Sequence, residues 1–194
     1  MNKKKYSKAV RMMSPVGVVI NAHLKEPMVF IKGDGWRPDA KGKLSFRLVV
    51  EKDAAEAFIK DIRSTMKEND IASKNFPWTA QTDENGDETG NILFSFKTFG
   101  TEFGSSEKKK ILYVDSAGIP VPSDVTVTAG SKVRTRFLLT DSNDYLQLRF
   151  EAIQIVDLKE ADVEGFDALE EGSFVFDMET AGDAAQADAG STDF

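Results

Sequence analysis

Apolar and polar side chains alternate with a period of two along most of residues 9–159, which restricts this part of the chain to half-buried strands. In the run Lys41–Glu51, Leu44, Phe46, Leu48 and Val50 share one face, while Lys43, Ser45, Arg47 and Val49 share the other. Asn91–Phe99 repeats the pattern with Phe94 and Phe96 on the core parity, and Lys109–Val114 reads as a short strand, basic first and apolar after. Lys132–Leu139 turns Val133, Thr135, Phe137 and Leu139 inward. Tyr145–Phe150 turns Leu146, Leu148 and Phe150 inward and runs on through Ile153, Ile155 and Val156, where a bulge must reset the parity. Residues 9–31 supply one or two further strands.

A single segment breaks this rhythm. Ala55, Phe58, Ile59, Ile62 and Met66 recur at helical spacing behind Asp53-Ala54-Ala55-Glu56, which has the spacing of a capping box with Asp53 as the cap. Alternating strands joined by short polar turns such as Asp141-Ser142-Asn143-Asp144 argue for antiparallel pairing. The fold class that follows is mainly β, a small Greek-key barrel of the OB type plugged by one amphipathic helix.

Charge divides the chain. Residues 160–194 carry 11 acidic and no basic side chains, so of the chain's 25 basic and 32 acidic residues, 25 and 21 fall in residues 1–159. The body is therefore +4 while the whole chain is −7. The acidic segment is short of branched aliphatics and reads as disordered, which sets the expected division at 1–159 for the barrel and 160–194 for the tail. A mildly basic body joined to such a tail suggests an electrostatic competitor for a polyanion site. The absence of cysteine excludes disulfides and thiolate metal sites and favours a reducing cytosol. No stretch approaches the length of a membrane span, and the apolar run Val16–Ile20 is too short for a signal sequence.

The parity opposite to the core places Lys43, Arg47, Lys97, Phe99, Arg134, Arg136, Tyr145 and Arg149 outside. Cations that replace condensed counterions, interleaved with rings on which unpaired bases stack, are what non-specific single-strand binding needs. The same residues also suit an ordinary solvated β surface. Trp36 and Arg37 sit in the turn-rich Gly33-Asp34-Gly35-Trp36-Arg37-Pro38, where the indole is either a stacking platform or a cover for a barrel end. Trp78 reads as a lid on the core, and Phe103 stays open between core and surface. The basic N-terminal residues Lys3, Lys4, Lys5, Lys8 and Arg11 form either a phosphate-binding arm or a solubilising one, and Lys108-Lys109-Lys110 reads as a solvated loop end.

Signals for catalysis are poor. His23 is the only histidine and reads as structural, no phosphate-cradling glycine loop is present, and no cofactor is called for. Asp83-Glu84-Asn85-Gly86-Asp87-Glu88 lacks the spacing of a calcium loop and contains the hairpin signal Asn85-Gly86, so a turn is preferred to a metal site. A binding protein rather than an enzyme is expected. The alternatives are a protein-interaction β-barrel that never meets nucleic acid and a divalent-metal hydrolase built on Asp83–Glu88.

Taken in order, several segments resemble the single-stranded DNA-binding proteins of T7-like bacteriophages and related phage OB-fold proteins. They are Gly35-Trp36-Arg37-Pro38 before Gly42–Leu48, the acid-capped helix, Asn85-Gly86-Asp87 before Ile92–Lys97, Leu112–Gly118, Gly130–Val133 and Tyr145–Leu148 leading on to Ile155–Leu158. Last comes the acidic tail ending in Asp193-Phe194. The resemblance covers most of residues 30–194 and implies an OB fold that coats single strands during replication, recombination and repair in the cytoplasm of the bacterial host. It also implies a tail that competes with DNA and recruits the polymerase and helicase-primase, with Asp188, Asp193 and Phe194 as its partner-binding residues, and common homodimers. This tail is less densely acidic than the family's usual one, with stretches such as Ala184-Ala185-Gln186-Ala187, and residues 1–30 match poorly. DNA contacts carry over to Trp36, Arg37, Lys43, Arg47, Lys97, Arg134, Arg136 and Tyr145, with Phe99 and Arg149 added by parity.

Overall fold

The alternating segments form strands whose buried sides are those that the periodicity assigns. The computed structural model describes residues 9–102, 104–122, 125–142 and 144–159; the expectations for Lys3, Lys4, Lys5, Lys8, Phe103, the acidic tail, Asp188, Asp193 and Phe194 lie outside the described residues. Within them the elements run β1 (Val10–Met13), β2 (Gly17–Ile31), β3 (Gly35–Pro38), β4 (Lys43–Val50), α1 (Lys52–Glu68), β5 (Trp78–Thr82), β6 (Glu88–Phe99), β7 (Leu112–Val114), β8 (Lys132–Ser142) and β9 (Tyr145–Asp157).

Strands β8, β2, β4, β6 and β9 follow one another as hydrogen-bonded neighbours, and β9 pairs back to β8. That last pairing closes a five-stranded ring. Four of its contacts are antiparallel, whereas β6 meets β9 in parallel at Phe96 and Leu148. This circuit is the OB barrel expected from the sequence. The short strand β1 extends β8, β7 adds to β9, and β3 and β5 form hairpins on β2 and β6.

Leu44, Phe46, Leu48 and Val50 of β4 meet Val133, Phe137 and Leu139 of β8 and Leu146, Leu148 and Phe150 of β9 in one core. Phe46 stacks on Phe96 at 5.2 Å, and Phe96 and Phe137 meet edge to face at 5.4 Å. Each fully buried side chain of this size contributes about 1.5–3 kcal/mol through area removed from water. Gly17 lets β2 come close to β4: a Cβ there would run into the Val49 carbonyl oxygen and reach within 2.7 Å of Leu48 Cγ.

Helix α1 buries Ala55, Phe58, Ile62 and Met66, and Phe58 sits 5.2 Å from Phe94 and 5.9 Å from Phe137. The helix begins earlier than its sequence signal: Glu51 is the N-cap, with no side-chain cap bond, and Ala55 N–H donates to the Glu51 carbonyl at 2.9 Å. Asp53 instead lies in the first turn, where its charge favours the helix dipole. At the other end Asp70 takes a left-handed conformation (φ 54°), and Ile71 N–H closes back on the Met66 carbonyl at 2.9 Å.

Irregularities in β9 and in the β5–β6 turn bear on the surface. Arg136 pairs with Ala152 but Phe137 with Phe150, so Glu151 is the extra residue of one bulge in β9, and the burial parity resets at Ala152–Ile153. Lys132 pairs with Asp157 but Val133 with Ile155, so Val156, 43 % exposed, is the extra residue of a second bulge, at the end of the apolar run where the sequence calls for one. The Asn85–Gly86 segment is a turn: Gly86 has φ 89°, and Asp83 Oδ1 accepts the backbone N–H of Asn85 and of Asp87 at 2.9 and 3.0 Å.

Candidate nucleic-acid interface

The residues on the outer parity of β4, β6 and β9 are brought together by register. Lys43 lies opposite Phe99, Ser45 opposite Lys97 and Arg47 opposite Ser95, so the cations of β4 alternate across the pair with those of β6. The parallel step from β6 to β9 then adds Gln147 and Arg149. Phe99 is 47 % exposed and sandwiched by charge: Arg149 lies 4.9 Å from its ring centre and Lys43 5.9 Å.

Among the described residues, none of Lys43, Arg47, Lys97 and Arg149 has a carboxylate within 4.0 Å, the ion pairs there being Arg11–Glu151, Arg37–Asp34 and Arg136–Glu151. Lys97 shows the electrostatic consequence. Burial lowers its pKa below the ordinary lysine value, and the charges of Lys43 and Arg47 lower it further. Three cations on adjacent strands repel one another and create a positive potential that an anion would relieve.

Rings flank this cluster. Trp36, 51 % exposed, packs against His23 at 5.2 Å and Phe30 at 5.4 Å on the β2–β3 hairpin, apart from the barrel core. With Arg47, Ser45 and Lys97 it lines a groove of about 430 Å³. A second cavity of about 320 Å³ lies between Phe76, Tyr145, Gln147, Lys43 and Lys97. Both cavities are lined by Ser95 and Lys97, so they adjoin on the face over β4, β6 and the start of β9, hereafter the groove.

Of the residues named from sequence, Trp36, Lys43, Arg47, Lys97, Phe99, Tyr145 and Arg149 fall along this face. Arg37 is at its margin, ion-paired to Asp34 at 3.2 Å. Arg134 and Arg136 lie farther along, opposite Gln154 and Ala152 beyond the bulge at Glu151. Arg136 shares Glu151 with Arg11, which binds that carboxylate at 2.8 Å. Trp78 packs against the core beside Phe94 at 6.0 Å.

The sequence reading took His23 as structural and passed over Phe76 and Gln147, and all three line these cavities. Gln147 shares the outward parity of Tyr145 and Arg149, a signal that was legible but uncharged. Phe76 reaches the groove because its segment docks on the tip of the β8–β9 hairpin: Lys74 and Asn75 N–H both donate to the Asp144 carbonyl at 3.1 Å, and Leu146 N–H to that of Asn75 at 2.9 Å. No local pattern announces a contact of that sequence separation.

No family model matches the chain, and no curated protein does. Among solved structures, the chain is similar to gp2.5, a single-stranded DNA-binding protein encoded by bacteriophage T7, with a TM-score of 0.56 and 16% identity over 88% of this chain and 100% of that one. It is also similar to the single-stranded DNA-binding protein of bacteriophage Enc34 in complex with single-stranded DNA, at a TM-score of 0.53 and 14% identity over 81% of this chain and 95% of that one. A C-terminally truncated form of the Enc34 protein matches at a TM-score of 0.54 and 13% identity, over 81% of this chain and 94% of that one. What these likenesses share is the OB fold of the barrel.

Proposed function

We propose that this protein binds single-stranded DNA without regard to sequence, along the groove over β4, β6 and β9. The observation that carries the proposal is the run of cations Lys43, Arg47, Lys97 and Arg149, without a carboxylate partner among the described residues, set among the exposed rings of Trp36, Phe99 and Tyr145. Phosphates take the place of counterions on the cations, and bases stack on the rings, which accept any base because each presents a π-face. That the T7 and Enc34 neighbours are single-stranded DNA-binding proteins, the latter solved with single-stranded DNA, supports the same reading.

The role extends, in this proposal, to phage replication, recombination and repair in the bacterial host. Residues 160–194, with 11 acidic side chains, compete with DNA phosphates and present Asp188, Asp193 and Phe194 to replication partners such as the polymerase and the helicase-primase. The support for this part is the segregation of charge in the sequence.

The test is fluorescence anisotropy of dye-labelled oligo-dT titrated with the full chain and with residues 1–172 from low to high salt. Salt-sensitive binding that tightens on truncation is expected. An absence of salt-sensitive binding by either form would leave the interaction barrel, and equal affinity of the two forms at low salt would remove the competing role of the tail.

A further inference from the structure

The cavity beside β9 is built differently from the rest of the groove. One wall is the Asn75-Phe76-Pro77 segment and the other is the start of β9, elements about 70 residues apart in the chain. The walls are stitched together by main-chain bonds, from Lys74 and Asn75 to Asp144, from Leu146 to Asn75, and from Ser95 to Pro77 at 2.8 Å. The Asn75 side-chain amide adds a bond to the Asp144 carbonyl at 3.3 Å. Phe76 is braced from behind, stacked on Trp78 at 4.7 Å with Arg63 5.9 Å from its ring. The main-chain frame of the cavity is therefore held in place by these bonds, which lowers the cost of ordering it on binding.

Its chemistry is that of a planar, polar-edged ligand. Phe76 is 39 % exposed and Tyr145 60 % exposed, so both rings offer free surface at the mouth. Gln147 and Ser95 line the interior, and neither side chain makes a hydrogen bond among the described residues. Lys43 and Lys97 stand on the same rim. A volume of about 320 Å³ is at the small end of ligand sites.

We propose that this cavity takes one unstacked nucleobase, and that this insertion makes the groove selective for single strands over duplex. The inference rests on the single-strand reading and deepens it. The base stacks on Phe76 and Tyr145, its phosphate meets Lys43 and Lys97, and its edge meets Gln147. The Gln147 amide carries one donor group and one acceptor, and turning the amide exchanges them, so it matches the edge of any base. A base paired within a duplex reaches the cavity only by being extruded, at a cost of a few kcal/mol.

The experiment is a two-by-two comparison of the full chain with the Phe76→Ala/Tyr145→Ala double variant. Each is titrated against an eight-nucleotide dT oligomer and against an abasic deoxyribose-phosphate oligomer of equal length and charge, with a short duplex as a third probe. Both rings are surface-exposed, and matching thermal melts establish that the variant is folded. The double variant should lose about 10-fold or more against dT. It should lose less than 2-fold against the abasic oligomer and the duplex. Gln147→Leu should lose affinity for dT without altering the salt slope. Equal losses on all three probes, or no loss on dT, would overturn the inference while leaving single-strand binding in place. Failure of the unaltered protein to bind dT would instead remove the reading on which the inference rests.

Discussion

Replacing Lys97 by Met should weaken DNA binding and stabilise the fold at once. Lys97 is exposed on β6 across from Lys43 and Arg47, and partial desolvation of its ammonium together with those two charges disfavours its protonated form. Removing the charge and keeping the stem retains the packing while abolishing the repulsion. If Lys43, Arg47, Lys97 and Arg149 each neutralise one phosphate, log K against log salt has a slope of about −2.8, and Lys97→Met brings it to about −2.1. Measured from 1 M salt, one lost contact is about 0.7 of a log unit at 0.1 M, roughly five-fold, and about 25-fold at 0.01 M. The stability change works in the opposite sense. Because the folded pKa lies below the unfolded value, the charged lysine penalises the fold at neutral pH, and the penalty fades as pH rises through the folded pKa. With Lys97 exposed and its charge screened, the unfolding midpoint of Lys97→Met should rise only slightly at pH 7, with the gain shrinking toward alkaline pH. Anisotropy titrations of labelled dT across a salt series and thermal melts across a pH series read both quantities. A lower melting midpoint with an unchanged salt slope would refute the reasoning and make Lys97 a packing residue.

Other perturbations address the frame. Glu151 accepts a hydrogen bond from Arg11, which with the charges of Arg11, Arg136 and Lys109 lowers its carboxyl pKa below 4.5 despite some opposing burial. Its contribution is fully present above the unfolded value and lost as pH falls through the lower folded one. The protein should therefore exceed Glu151→Gln in melting midpoint at pH 7, and the gap should close as pH falls through the lowered carboxyl pKa. Phe137→Ala removes a fully buried ring that touches Phe58 and Phe96, and should cost about 3–5 kcal/mol in urea unfolding. Gly17→Ala places a methyl against the Val49 carbonyl and should lower the denaturation midpoint by more than a surface substitution would.

The barrel was legible because its physics is local. Leu44, Phe46, Leu48 and Val50 alternate with Lys43, Ser45, Arg47 and Val49, and one register satisfies both the core and the solvent face. The helix was legible as an amphipathic face, but its start was not, since Glu51 caps without a side-chain bond and leaves no signature for Asp53 to be distinguished from. The bulge at Val156 was demanded by the run of apolar residues at the end of β9, whereas the one at Glu151 is set by pairing with β8 and leaves no local signal.

The groove follows the same division. Its cations come from strands, where each is held by the buried neighbours on either side of it, so Arg47 is aimed by Phe46 and Leu48 and Lys97 by Phe96. Two of its flanking rings come from outside the barrel strands, Trp36 from the β2–β3 hairpin and Phe76 from a segment tied to the β8–β9 tip, whereas Phe99 and Tyr145 share the cations' strand parity. Strand periodicity reports the residues of that parity and is silent on Trp36 and Phe76. The consequence is energetic as well as predictive. The strand register fixes the backbone origins of these cations on adjacent strands, so their charges stay near one another. Their mutual repulsion is thus retained in the free protein and relieved when phosphate arrives. Trp36 and Phe76 lie outside the core, so removing those rings leaves the barrel intact. Charge on this face is coupled to stability, ring stacking is not, and variants of the two kinds should separate cleanly in melts even where their DNA affinities fall by the same factor.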